Sequence, residues 1–404
     1  MGGLIGISFH AFGVITDPQD IAQYPILTRQ HLQESRYDMF SEGYRSKYFY
    51  KQLRRQSSSG SSGIPVSVYW DHDDYFLSML PLWRKRFKYY NIRPLDHYVQ
   101  FLWCIDDATR YRGKIYQVDD SRNILSVYIS MVTSNEDYGK LIDIINEFDP
   151  RWIYILPFVL QKLTYFYQYF GKKPPASLRY IESTGELLPL DVKQRATAFF
   201  GVPIANMYGS EEMNGIAYEC PFNKMHVLSE NVLVECRSEG GIFDSGEGEA
   251  IITNLNNKAM PLIRYNQGDI IVINHINVPC LCGNTSPVIS LIKGRHIERI
   301  KINRDIELSP FTLMEMISLV NNQYEDLIIQ YRFTYNRTKA SVKCFVEVDP
   351  ERVAWFSTVK SVIENAFNAK ITDKVEAGIS FEVFLVEITS GSTKKYKFFE
   401  ISDE

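Results

Sequence analysis

Two groups of residues in this sequence have types and spacings that could do chemistry. Ser57-Ser58-Ser59-Gly60-Ser61-Ser62-Gly63 is a run of hydroxyls and glycines that leads into the extended, apolar Ile64-Pro65-Val66-Ser67-Val68-Tyr69-Trp70. Glycine admits positive φ, so successive backbone N–H groups and hydroxyls can converge on phosphate oxygens. The same composition also suits a flexible linker. It is not a Walker loop, because no Gly-Lys-Ser/Thr follows. In the second group, five residues separate Cys220 from His226 and one separates Cys280 from Cys282. Three thiolates and an imidazole would make a closed, tetrahedral Cys3His zinc site of the structural type. The alternative is buried free thiols beside an unrelated histidine. Pro221, Pro279 and Gly283 flank these positions and suit ligand loops.

The chain that must position these groups has 404 residues, which is too long for one ordinary core and suggests two or three domains. Its 45% hydrophobic and 23% charged content are those of a soluble globular protein. The net charge of −4 is spread along the chain with no Lys/Arg cluster, so a nucleic-acid partner is not expected. Six scattered cysteines are not a disulfide framework, and Cys104, Cys236 and Cys344 lie in apolar runs as core residues. The opening Met1–Ser8 lacks a basic n-region and a cleavage site, and Gly6 stands where a myristoylation signal has Ser or Thr. Pro157, Gln161, Lys162 and Gln168 interrupt the apolar stretch 152–170, which reads as a core helix instead of a membrane span. A cytoplasmic address with no membrane partner is the expectation.

Periodicity supplies the elements. A helix enters at Thr28, an aromatic amphipathic helix covers 74–92, and residues 98–134 alternate between apolar runs and turns. Helices at 136–147, 157–170 and 190–200 alternate with strands near 152–155, 179–182 and 203–207. From 226 to 275 shorter strands follow, at Val232–Cys236, Glu249–Thr253 and Ile270–Ile273. The last hundred or so residues read as a small α+β unit. Its strands lie at 327–335 and 340–347 about a turn at Asn336-Arg337, with a helix at 351–368 and a strand at 381–388. The fold class is therefore α/β: a large N-terminal α/β domain with a β-rich subdomain, plus a small mobile C-terminal α+β domain.

Further motifs follow the Ser/Gly loop in a fixed order: Tyr208-Gly209-Ser210-Glu211-Glu212, then Pro261-Leu262-Ile263-Arg264-Tyr265-Asn266-Gln267-Gly268-Asp269, then Lys293-Gly294-Arg295. With Ser58–Pro65 they resemble the motif set of the adenylate-forming acyl- and aryl-CoA synthetase superfamily, in its phenylacetate–CoA ligase-like branch that includes capsule-biosynthesis homologues. The resemblance covers roughly residues 25–400. That branch also carries the Cys…His and Cys-x-Cys-Gly stretches, which supports zinc at Cys220, His226, Cys280 and Cys282.

The resemblance implies a large adenylation domain at 1–294, with its β-rich zinc-bearing part at about 215–290, and a lid domain at 295–404 that rotates about a 295–303 hinge. It implies ATP and Mg²⁺ as cofactors, a small-molecule carboxylic acid (aryl or small organic) as substrate, and CoA, a carrier-protein thiol, an amine or a hydroxyl as acceptor. A homodimer is one assembly that it allows. It implies that Ser58, Ser59, Gly60, Ser61, Ser62 and Gly63 cradle phosphate and that Tyr208 stacks on adenine, with Gly209 and Ser210 beside it. Glu212 would hold Mg²⁺, Asp269 would take the ribose hydroxyls, and Arg295 would sit near ribose and the α-phosphate. Gly185 and Glu186 resemble the loop bordering adenine, with Asn206 facing its amino group. Lys395, in Ser390-Gly391-Ser392-Thr393-Lys394-Lys395-Tyr396-Lys397, aligns with the catalytic lysine, with Lys394 as the alternative; a solvated basic tail is the plain reading of that segment. Three positions depart from the pattern: Ile64 replaces a basic residue, Glu211 replaces Thr or Ser, and Ile297 replaces one acid of a hinge pair. They leave room for a member with another acceptor or for a nucleotide-binding relative without turnover.

Overall fold

A computed structural model of the chain describes residues 18–34, 37–57, 66–102, 114–129, 134–295, 300–301, 307–324, 327–372, 379–386 and 398–402. The chain falls into two compact units, each built from two segments: Met1–Tyr89 with Met207–Ile297, and Tyr90–Asn206 with Glu298–Glu404.

The first unit is the β-rich one. Its strands run in the order Gly241–Phe243, Val232–Ser238, Gly246–Asn254, Tyr265–Asn274, Val288–Arg295, Met225–Val227 and Asn214–Glu219, followed by the end of Ile204–Ser210. Every neighbouring pair is antiparallel. Val232, Val234 and Cys236 are buried while Leu233, Glu235 and Arg237 are half-exposed, the alternation of a strand with one covered face. The expected strand at 64–70 is shorter, Ser67–Trp70, and pairs with Arg54–Ser57. Ser57, assigned above to the Ser/Gly loop, is therefore the last residue of a strand. The N-terminal segment is sewn onto the motif strand: Leu27 N–H donates to Arg264 O (3.0 Å) and Asn266 N–H donates to Leu27 O (2.8 Å). Arg264 adopts φ +50 and clamps this junction, bonding Glu235 through two nitrogens and the carbonyls of Ala22 and Tyr24. Trp70, Leu27, Met260 and Tyr265 fill the core beneath.

The second unit carries a parallel sheet of Tyr180–Thr184, Trp152–Ile155, Tyr98–Leu102 and Ile124–Tyr128, with Tyr116–Asp119 antiparallel at one edge. Helices Asn135–Phe148, Pro157–Tyr169 and Leu190–Phe200 match the periodicity within two residues at each end. Ser134 and Asp137 close a capping box at the first, and Pro157 opens the second at a position where its missing N–H costs nothing. Residues beyond 298 in the same unit add a four-stranded sheet in the order Ser380–Leu385, Ser341–Val348, Ile328–Asn336, Phe399–Ser402. Helices Pro310–Gln323 and Phe356–Thr372 cover it around their own core of Leu313, Ile317, Phe333, Val346, Ile363 and Phe367. Polar contacts join this part to helix Pro157–Tyr169: Gln161 Nε2 donates to Ile328 O (3.1 Å), and Tyr165 OH donates to Asp349 Oδ1 (3.3 Å).

Candidate active site and metal centre

Tyr208-Gly209-Ser210 ends one strand, and the chain turns through Glu211-Glu212-Met213 into the antiparallel strand Asn214–Glu219. Glycine is required at 209, because a Cβ there would stand 2.3 Å from the Asn214 carbonyl oxygen. The turn brings the first motif against the second. Tyr208 OH donates to Asp269 Oδ2 (2.6 Å), and Gln267 Nε2 donates both to Tyr208 Oη (2.7 Å) and to Asp269 Oδ2 (2.9 Å). Ser210 Oγ donates to Gln267 Oε1 (3.1 Å).

Glu212 lies in the same turn with 2% exposure. Its Oε1 accepts from Tyr265 OH (3.3 Å) and lies 3.5 Å from Arg29 Nη2, while its carbonyl accepts from Asn254 Nδ2 (3.3 Å). Burial and then the Glu212 carboxylate push the Tyr265 hydroxyl well above its ordinary pKa, so it stays a donor. Gln267, Arg29 and Tyr265 were not among the residues expected from the sequence. Gln267 and Tyr265 lie inside the quoted motif, so the motif's own alternation was the signal; Arg29 had none beyond following the helix-entry Thr28.

Arg295 ends strand Val288–Arg295, where its backbone is the register partner of Asp269. Gly185 (φ +87) and Glu186 follow strand Tyr180–Thr184, and Asn206 ends its segment; these three belong to the second unit. The structure thus brings together Tyr208, Ser210 and Asp269 in one network, with Glu212 in the turn beside it. Ser58, Ser59, Gly60, Ser61, Ser62, Gly63 and Ile64 lie outside the described residues, as do His296, Ile297, Glu298, Lys394 and Lys395.

The four metal candidates converge: the ligating atoms of Cys220, His226, Cys280 and Cys282 all lie within 4.8 Å of one another. A tetrahedral zinc with Zn–S bonds of about 2.3 Å spaces its sulfurs by roughly 3.7 Å. Cys220 Sγ and Cys280 Sγ are 3.9 Å apart, and Cys282 Sγ is 3.4 Å from His226 Nε2. His226 Nδ1 lies 3.3 Å from Ser286 O, which turns Nε2 toward the thiols. Burial lowers the His226 pKa, favouring the neutral ring that binds metals. Each cysteine loop is a tight turn: Asn223 N–H donates to Cys220 O (2.9 Å), and Gly283 N–H, at φ +80, donates to Cys280 O (2.7 Å). Lys88 on helix His72–Tyr90 reaches Cys282 O (2.9 Å). The donor set fits a closed structural zinc site. Cys236 and Cys344 are buried elsewhere as expected of core residues, and Cys104 lies outside the described residues.

No family model matches the chain. A phenylacetate–coenzyme A ligase of Thermus thermophilus is 28% identical over 164 residues, covering 38% of this chain and 36% of that protein. The match therefore spans about a third of the curated relative's length. Among solved structures, a 2-hydroxyisobutyryl-CoA ligase in its postadenylation state, bound to an acyl-AMP, superimposes with TM-score 0.72 at 16% identity, over 96% of this chain and 82% of that one. An anthranilate CoA ligase in complex with anthranoyl-AMP gives TM-score 0.52 at 14% identity, over 94% of this chain and 74% of that one. The chain thus shares the fold of these acyl- and aryl-CoA ligases, and part of it is similar in sequence to a phenylacetate–coenzyme A ligase.

Proposed function

We propose that the chain is an ATP-dependent, AMP-forming acid–thiol ligase. A carboxylate oxygen of the acid attacks the α-phosphorus of ATP, the bond to the β-phosphate oxygen breaks, and pyrophosphate leaves with that electron pair. The sulfur of CoA or another thiol then attacks the acyl carbon, and AMP departs. The observation that carries this reading is the network joining Tyr208, Ser210, Gln267 and Asp269 beside the buried Glu212.

In this reading Tyr208 offers its face to adenine, Asp269 takes ribose hydroxyls, and Gly185, Glu186 and Asn206 border the base. Glu212 holds Mg²⁺, which draws charge from the phosphate oxygens when bound. Ser58–Gly63 cradle the phosphates, Arg295 stands near ribose and the α-phosphate, and Lys395 bridges carboxylate and α-phosphate as negative charge builds. Residues 295–404 act as the lid, the substrate is an aryl or small organic acid, zinc at Cys220, His226, Cys280 and Cys282 is structural, and the address is cytoplasmic. Among the described residues, no helix is long and apolar enough to cross a membrane.

Carboxylate-dependent ATP–pyrophosphate exchange across a panel of acids tests this reading, and exchange with none of them overturns it. Ile64 and Ile297 favour a second reading, adenylation followed by transfer to an amine or hydroxyl; acceptor screening after exchange separates the two. Exchange that survives Lys395→Ala assigns the catalytic position to Lys394, whereas ATP binding without exchange for any acid makes the chain a nucleotide-binding relative without this chemistry.

A further inference from the structure

We infer that Gln267 is a positioning residue that fixes Tyr208 and Asp269 for the nucleotide; this rests on the ATP-using reading above. The Gln267 side chain belongs to a residue that is 7% exposed. A buried primary amide is costly unless its groups are bonded, and every hydrogen bond that the Gln267 amide makes here goes to another residue of the two motifs.

The geometry forms a closed triangle. Tyr208 OH donates to Asp269 Oδ2, and Gln267 Nε2 spends one hydrogen on the Tyr208 oxygen and the other on the same carboxylate oxygen. The amide can face only one way. Flipped, it would set its carbonyl oxygen against the Asp269 carboxylate, and the Ser210 hydroxyl on the opposite side supplies the donor that Oε1 needs. Tyr208 and Ser210 belong to one motif and Asp269 to the other, 59 residues or more away, and Gln267 ties all three.

Two degrees of freedom are removed. A tyrosine that stacks on a base must hold its ring plane, and anchoring its hydroxyl at two partners restricts that plane. A carboxylate that reads ribose hydroxyls must hold its own plane, and two donors on Oδ2 set it. Binding then costs less ordering of the site, which raises affinity and sharpens discrimination between ribose and its deoxy analogues.

The test is calorimetric titration of the full chain with Mg·ATP, Mg·2′-deoxy-ATP and Mg·3′-deoxy-ATP. The wild type is compared with Gln267→Met, which keeps the volume and removes every amide bond. The expected result is an ATP Kd raised about tenfold, with the preference for ATP over the deoxy analogues falling by about threefold or more. Nucleotide-free thermal unfolding is recorded alongside, because a purely structural role moves stability without moving the ribose preference. Ser210→Ala, which removes only the group that orients the amide, is the second variant and should show a smaller change in the same direction. Wild-type Kd and ribose preference in both variants overturn the positioning role while leaving the ATP-using reading intact. Failure of the wild-type chain to bind ATP overturns both.

Discussion

Lys162 Nζ sits 3.0 Å from Glu347 Oε2, and the two side chains are only 6% and 13% exposed. The pair joins helix Pro157–Tyr169 to strand Ser341–Val348 within one compact unit, and the Lys162 ammonium also lies 6.0 Å from the Tyr138 ring centroid. Burying two charges costs several kcal/mol, which the pairing offsets, so removing one partner is worse than removing both. Lys162→Met should therefore destabilise the chain by about 3 kcal/mol, and Lys162→Met with Glu347→Met by clearly less. Urea unfolding of the two singles and the double reads this directly; a loss in the double equal to the sum of the two single losses would remove the coupling.

The metal centre makes its own prediction. Purified protein should carry one equivalent of zinc, and its removal by a chelator should lower the melting temperature by several degrees, because binding free energy at such a site is folding free energy. Cys282→Ser should lose the metal. Cys236→Ala, at a cysteine buried against Ser245 O and not in the cluster, should keep it. Zinc retained by Cys282→Ser would show that the four side chains are not the ligand set.

Residue type and local period carried much of this molecule; pairings distant in sequence did not show. Helix 157–170 was legible because Pro157 opens it and an apolar run fills it. The convergence of Cys220, His226, Cys280 and Cys282 was legible from two closely spaced pairs of ligand types beside turn residues. The polar sequence Arg54-Arg55-Gln56-Ser57 carries no alternation to mark a strand; it is one because Ser67–Trp70 lies opposite. Strand Phe399–Ser402 was missed for a similar reason: four residues hold too little period, and its parallel partner begins at Phe333. Arg29 gains its meaning from Glu212, 183 positions away, a pairing that no local pattern encodes.

Acid stability should depend on Asp149. The Ser177 hydroxyl (2.6 Å) and backbone N–H (2.9 Å) both donate to its carboxylate, and the hydroxyl bond is the larger cause of a pKa held below the usual aspartate range. The folded state therefore binds fewer protons at this site than the unfolded chain. Its stabilising contribution is complete above the unfolded pKa of about 4 and is lost as pH falls through the lower folded value. Asp149 also ends helix Asn135–Phe148 at φ +47, a conformation that asparagine tolerates. Asp149→Asn should thus flatten the stability profile below about pH 4, because it removes near neutrality the same contribution that the wild type loses in acid. Urea midpoints taken from acid to neutral pH check it, and an unchanged acid limb would assign that limb to other carboxylates.

Glu212→Gln separates a role in the proposed reaction from a role in the fold. Glu212→Gln keeps the volume and keeps an oxygen to accept from Tyr265 OH, while removing the negative charge that faces Arg29. The fold should survive, since the amide can still be hydrogen-bonded in its 2% exposed position. If Glu212 holds the divalent ion, pyrophosphate exchange should fall by about a hundredfold, and the Mg²⁺ concentration needed for half-maximal rate should rise. Glu211 offers the contrast. It is exposed in the same turn, where its charge would repel a bound triphosphate. Glu211→Thr should lower the ATP KM by about twofold and leave the Mg²⁺ dependence in place. Rates measured over a magnesium series for both variants distinguish the two carboxylates. A Glu212→Gln enzyme with wild-type magnesium dependence would remove Glu212 from the metal-holding role.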